Sequence, residues 1–164
     1  MRRRALATLP LALAVAGCGF QLRGAYTFPF GSILVAGLPG SAVSRDLRKA
    51  LADAGVKVLP EGSAPAQAQV VLDIPVERRE KVVVGLSAAG QVTEFELRLR
   101  LSIRLRTPQG KELLPSTELL QSRDISYSET YALAKEQEEN LLYRDMQNDL
   151  VQQILRRLST VKIA

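Results

Sequence analysis

The chain contains no histidine and no tryptophan, and it has a single cysteine, Cys18. Without histidine there is no Ser-His-Asp triad, no Cys-His dyad and no imidazole to hold a metal. One cysteine excludes an internal disulfide and a thiolate zinc cage. The sequence also lacks a P-loop, a G-x-G-x-x-G turn and a G-x-S-x-G nucleophile elbow. These absences leave no catalytic or metal-ligating candidate and no cofactor motif. A hydrolase has little support without histidine, and a Ser-Lys arrangement is the one route the sequence leaves open to it. Aromatic residues make up only 5% of the chain, while the hydrophobic share of 46% and charged share of 24% are ordinary for a globular protein. A length of 164 residues fits one domain with one core. The formal net charge of +5 includes Arg2, Arg3 and Arg4, which leaves +2 for the rest. That balance is too small to argue for nucleic acid.

Arg2 to Arg4 form a positive leader, followed by the apolar run "ALATLPLALAVA". About a dozen residues are too few to span a bilayer core of about 30 Å as a helix. Val15-Ala16-Gly17-Cys18 then resembles the lipobox of bacterial lipoproteins, in contrast to an ordinary signal peptide with a cysteine near its end. In that class the cysteine sulfur takes a diacylglycerol, the chain is cut before it, and the new amino group is acylated. Two or more acyl chains give stable anchoring. The resemblance implies a signal peptide over 1–17, a lipidated N-terminus and tether over 18–31, and a folded domain over 32–164. Gly19, where Asp would favour the inner membrane, implies export to the outer membrane.

The remaining chain has readable periodicity. "SILVAG" is a short apolar strand, and Val43, Leu47, Leu51 and Ala54 define an amphipathic helix over 42–54, with Gly55 at its C′ position. "VKVL" reads as a short extended return, and 61–69 as loop. Val70, Leu72, Ile74 and Val76 alternate as a strand in which Pro75 demands an edge or a bulge. Phe95, Leu97, Leu99, Leu101, Ile103 and Leu105 alternate strictly with polar residues. That run is about twice the usual strand length, with one face in the core. Thr107-Pro108-Gln109-Gly110 is a type I turn signature and calls for a partner strand over 111–126. Leu142, Met146, Leu150, Ile154 and Leu158 recur every four residues, predicting a helix over 131–160. The expected fold is α+β: a two-layer sandwich of two helices on one face of a mostly antiparallel four-stranded sheet.

"CGFQLRG" directly after the lipobox resembles the start of mature members of the LptE family of LPS-assembly lipoproteins. "SRDLRKALADAGVKVL", "GQVTEFELRLRLSIRL" and "YALAKEQEENLLYRDMQNDLVQQILRRL" follow in the family's order, so the likeness covers nearly the whole chain. The resemblance implies two helices on four strands and a non-enzymatic role. It implies a lipid-anchored outer-membrane protein on the periplasmic side, largely within the lumen of the LptD β-barrel. There it plugs the barrel, supports its assembly and assists lipopolysaccharide transport to the outer leaflet. No cofactor is implied beyond the lipid on Cys18, and no nucleic acid. The alternative from another class is a stand-alone periplasmic lipid-binding carrier, which would need a deep apolar cavity.

The resemblance also carries a basic lipopolysaccharide-binding position onto Lys135, in the "ALAK" start of the last helix. The family's second position, an arginine shortly before the G-Q dipeptide, falls on Ala88. Arg78, Arg79 and Lys81, on the strand entering that loop, are candidates to supply the missing charge. Arg98 and Arg100, with Arg104 and Arg106, form a basic row suited either to solvation or to an acidic glycolipid or barrel wall.

Overall fold

The computed structural model describes residues 26–163; Cys18 and the leader lie outside the described residues. Strand β1 (Ser32–Ala36) is followed by helix α1 (Ala42–Asp53), strand β2 (Lys57–Val58) and the long strand β3 (Val70–Leu86). Strands β4 (Val92–Arg106) and β5 (Glu112–Ser126) then lead into helix α2 (Ala132–Ser159). The sheet order is β2-β1-β3-β4-β5, with β1 parallel to both neighbours and β3, β4 and β5 antiparallel. The α+β sandwich is as expected, but "VKVL" adds a fifth strand beside β1. Lys57 N–H and Leu59 N–H donate to Gly31 and Ile33 carbonyls at 3.0 and 2.9 Å, and those bonds draw the return into the sheet.

Local chemistry explains the element ends. Ser41 Oγ accepts from Ser44 N–H at 2.9 Å and caps α1. At its other end Gly55 takes φ +84°, while Val56 N–H reaches Leu51 O and Gly55 N–H reaches Ala52 O. That pairing is a Schellman close, open to glycine without a Cβ penalty. The Thr107–Gly110 turn closes with Gly110 N–H to Thr107 O at 3.0 Å. Pro75 sits where the β3–β4 register shifts between Asp73 and Val76 and just past the last β1 partner, so a bulge on a strand that has become an edge accommodates its missing donor.

One core fills the space between sheet and helices. Val43, Leu47 and Leu51 of α1 meet Met146, Leu150, Ile154 and Leu158 of α2 over Leu97, Leu99, Leu101, Ile103 and Leu105 of β4. Each of these is fully buried. Burying such side chains is worth about 1.5–3 kcal/mol apiece before chain entropy is set against it. On the other face, Leu34 and Val71 are covered only by Leu59 and Ala68 from the connection between β2 and β3. The rest of that face is mostly polar, with Val76, Val82 and the exposed Leu120 among the charges. Before β1, Tyr26, Phe28 and Phe30 stack in tilted pairs at 6.2 and 5.5 Å and rest on the core, and Tyr26 Oη donates to Gln152 at 3.1 Å.

Candidate functional site

Alternation along β3 and β4 sorts the basic candidates onto two faces. Lys81 lies opposite Leu97, and Arg79 opposite Leu99, so both point to the helix side. Arg78 lies opposite Arg100, and Glu80 opposite Arg98, so Arg78, Arg98 and Arg100 occupy the outer face. The six candidates therefore do not form one site.

On the helix side, Lys81 and Lys135 line the same open cleft, of about 400 Å³. Its floor is Phe95, and Lys81 Nζ stands 4.4 Å from that ring's centroid in cation–π geometry. Tyr127 meets Phe95 edge to face at 5.2 Å. Lys81 Nζ donates to Glu139 at 2.6 Å, and Lys135 Nζ donates to Ser126 Oγ and Glu138, both at 2.9 Å. Both lysines are partly exposed, and exposed pairs of this kind are worth about 0–1 kcal/mol. An incoming phosphate can therefore displace either carboxylate at small cost. Lys135 thus pairs with Glu138 one helical turn on and also reaches Ser126 at the end of β5.

Arg79 has a different job. Its guanidinium lies 5.0 Å from the Tyr143 ring centroid and donates to Gln147 Oε1 at 3.4 Å. Gln147 is buried and donates to Asp46 on α1, tying both helices to β3. Tyr143 donates to Glu80 O at 2.7 Å. Burial, reinforced by Glu139, pushes the Tyr143 phenol above its ordinary value, so it stays a neutral donor. Arg79, although exposed, thus bridges β3 and α2.

The outer row is internally paired. Arg98 pairs with Glu96, and Arg100 with Glu80 and Glu118 from the strands on either side. Arg104 and Arg106 converge on Asp73 at 2.9 and 2.8 Å. Arg78 is exposed and has no ion pair among the described residues. Ala88 lies exposed in the β3–β4 turn and brings no charge. Phe95 and Tyr127 were not singled out by the sequence. Phe95 continues the core alternation, and only its place at the end of the core, beneath Lys81, turns it into a cleft wall.

Among the described residues, no group of three His, Cys, Asp or Glu side chains is placed to hold a metal ion. No helix there is long and apolar enough to cross a membrane, which says nothing of a β-barrel. A helix pair over a mostly antiparallel sheet, with an open cleft lined by Lys81, Lys135, Glu136 and Glu139 around Phe95, defines the class: a small α+β two-layer domain. The family model described as "LptE: Lipopolysaccharide-assembly" matches residues 30–158. The chain belongs to the LptE family of LPS-assembly lipoproteins. It is 31% identical to the LPS-assembly lipoprotein LptE of Photorhabdus laumondii, over 98% of this chain and 88% of that one. The Pectobacterium atrosepticum protein of the same name is 29% identical, with the same two coverages. Among solved structures, lipoprotein B from Nitrosomonas europaea is similar at 34% identity and a TM-score of 0.73, covering 86% of this chain and 90% of that one. The rare lipoprotein B of Shewanella oneidensis shares the fold, with a TM-score of 0.66, 21% identity and coverages of 79% and 94%.

Proposed function

We propose that the chain is anchored to the outer membrane through lipid on Cys18, occupies the lumen of an LptD-type β-barrel, and binds lipopolysaccharide through Lys81 and Lys135. The observation that carries the binding step is the meeting of these two lysines over Phe95 in one cleft. Lys135 is the position the family resemblance implies. Lys81 supplies a second cation at the same end of the molecule, where Ala88 supplies none. Two mobile ammonium groups suit a phosphorylated glycolipid, and the aromatic floor between them suits its less polar parts. The barrel placement draws support from the sheet's outer face. Arg98, Arg100, Arg104 and Arg106 are already paired with Glu80, Glu96, Glu118 and Asp73, so a wet, polar lumen can receive these four without an unpaired charge.

The test is affinity purification of the full-length chain from detergent-solubilised outer membranes. A stoichiometric β-barrel partner is expected, and its absence would favour the stand-alone carrier. In parallel, Cys18→Ala should move the chain from the membrane to the soluble periplasmic fraction.

A further inference from the structure

A second cleft, of about 540 Å³, adjoins the lysine cleft and shares Phe95 and Tyr127 with it. It lies between the start of β4 and the connection from β5 to α2. Its volume is in the range of small-molecule sites. Its chemistry differs from its neighbour's: Gln91, Thr93, Ser128 and Thr130 line it, and Glu129 is its one charged residue. Pairing here is carried by the backbone. Tyr127 N–H donates to Thr93 O at 2.8 Å, Ser87 N–H to Gln91 O at 2.8 Å, and Tyr131 N–H to Ser128 O at 3.1 Å. The side chains of Gln91, Thr93, Ser128 and Thr130 thus keep their donors and acceptors without a protein partner among the described residues.

An amide and three hydroxyls around aromatic edges are poor company for an acyl chain, because buried polar groups need partners. A carboxylate with no cation beside it repels phosphate. What fits is a ligand whose groups both donate and accept, with a less polar face to lie on Tyr127. We infer that this cleft binds a neutral pyranose ring of the core oligosaccharide, beyond the acylated disaccharide that carries the phosphates, as a sugar subsite next to the lysine cleft. The inference rests on the reading that the chain handles lipopolysaccharide. It goes further in dividing recognition between charge, read at Lys81 and Lys135, and sugar hydroxyls, read at Gln91, Thr93, Ser128 and Thr130.

Binding of two glycolipids to the full chain in detergent tests this. One is lipopolysaccharide carrying its core oligosaccharide, and the other is lipid A without core sugars. Wild type should bind the core-bearing form more tightly by about tenfold. The variant Gln91→Ala/Thr130→Val, at two exposed positions, should close that gap and leave lipid A affinity unchanged. Tyr127→Phe, which keeps the ring, should leave most of the gap in place. Lys135→Glu should weaken both ligands and preserve the gap. Equal binding of the two glycolipids by wild type, or a gap unaffected by Gln91→Ala/Thr130→Val, overturns the sugar subsite alone. Failure of wild type to bind either glycolipid removes the lipopolysaccharide reading and this inference with it.

Discussion

Asp73 shows how one residue fixes a strand irregularity. It stands just before the Pro75 bulge, where the β3–β4 ladder is interrupted, and Arg104 and Arg106 both donate to it. Burial pushes its carboxyl up, but the two guanidiniums outweigh burial and hold it below the ordinary aspartate range. Arg106 is raised in turn, chiefly by its hydrogen bond to Asp73. Because the folded value is depressed, the carboxylate's stabilisation is complete above the unfolded value, near pH 4. It is lost as pH falls through the lower folded value. Asp73→Asn should therefore lower neutral-pH stability by about 1–2 kcal/mol. It should also flatten the loss that wild type shows below about pH 4. Denaturant melts of both proteins from pH 2 to 7 check this; parallel curves at all pH values would show that the cluster carries no linkage.

At the scale of elements, periodicity did most of the work. Strict alternation from Phe95 to Leu105 and the four-residue spacing from Leu142 to Leu158 each have one geometric solution, and the structure adopts both. The turn signature at Thr107 announced the β4–β5 hairpin, but the register slips twice between Arg106 and Ile103, so the meeting of Arg100 with Glu118 could not be read from the turn. β2 was harder to read, because two residues carry no period and its pairing depends on a distant strand. The cleft was harder still. Lys81 reaches it only because a 17-residue strand runs on well past β1, and Phe95 and Tyr127 look like ordinary apolar positions until β5 and α2 are in place. The same helix supplies a check on which leucines matter. Leu150 is fully buried, whereas Leu133, well before the first buried residue of α2 at Tyr143, is 73% exposed. Leucine and alanine differ little in helix propensity, so packing decides the outcome. Leu150→Ala should cost about 2–5 kcal/mol, and Leu133→Ala should cost less than about 0.5 kcal/mol. Urea midpoints of the two variants provide the comparison, and equal midpoints would contradict the burial of this stripe.

The whole molecule presents two charged surfaces with different economies. On the helix side, Lys81 and Lys135 hold exchangeable partners beside an aromatic floor. On the sheet's outer side, arginines and carboxylates are interleaved across three strands and largely paired with one another. A free glycolipid phosphate gains more from the first, since its lysines can turn to meet it. A rigid polar wall gains more from the second, since complementary pattern sets register and rejects wrong partners. On the proposed function, the two surfaces should therefore separate glycolipid binding from capture of the barrel. Lys81→Glu/Lys135→Glu should reduce lipopolysaccharide affinity about tenfold or more while leaving capture of the barrel intact. Arg98→Glu/Arg100→Glu should do the reverse, weakening barrel capture with little change in glycolipid affinity. Reversing Arg100 also sets it against Glu80 and Glu118, so instability has to be told apart from lost recognition. Arg100→Glu/Glu118→Arg restores an opposite-charge pair across β4 and β5. Recovery of the melting temperature without recovery of capture would locate the effect in the pattern that faces the partner. Recovery of both would mean that the outer row serves only the sheet itself, and a loss of glycolipid affinity on reversing Arg98 and Arg100 would erase the division between the faces.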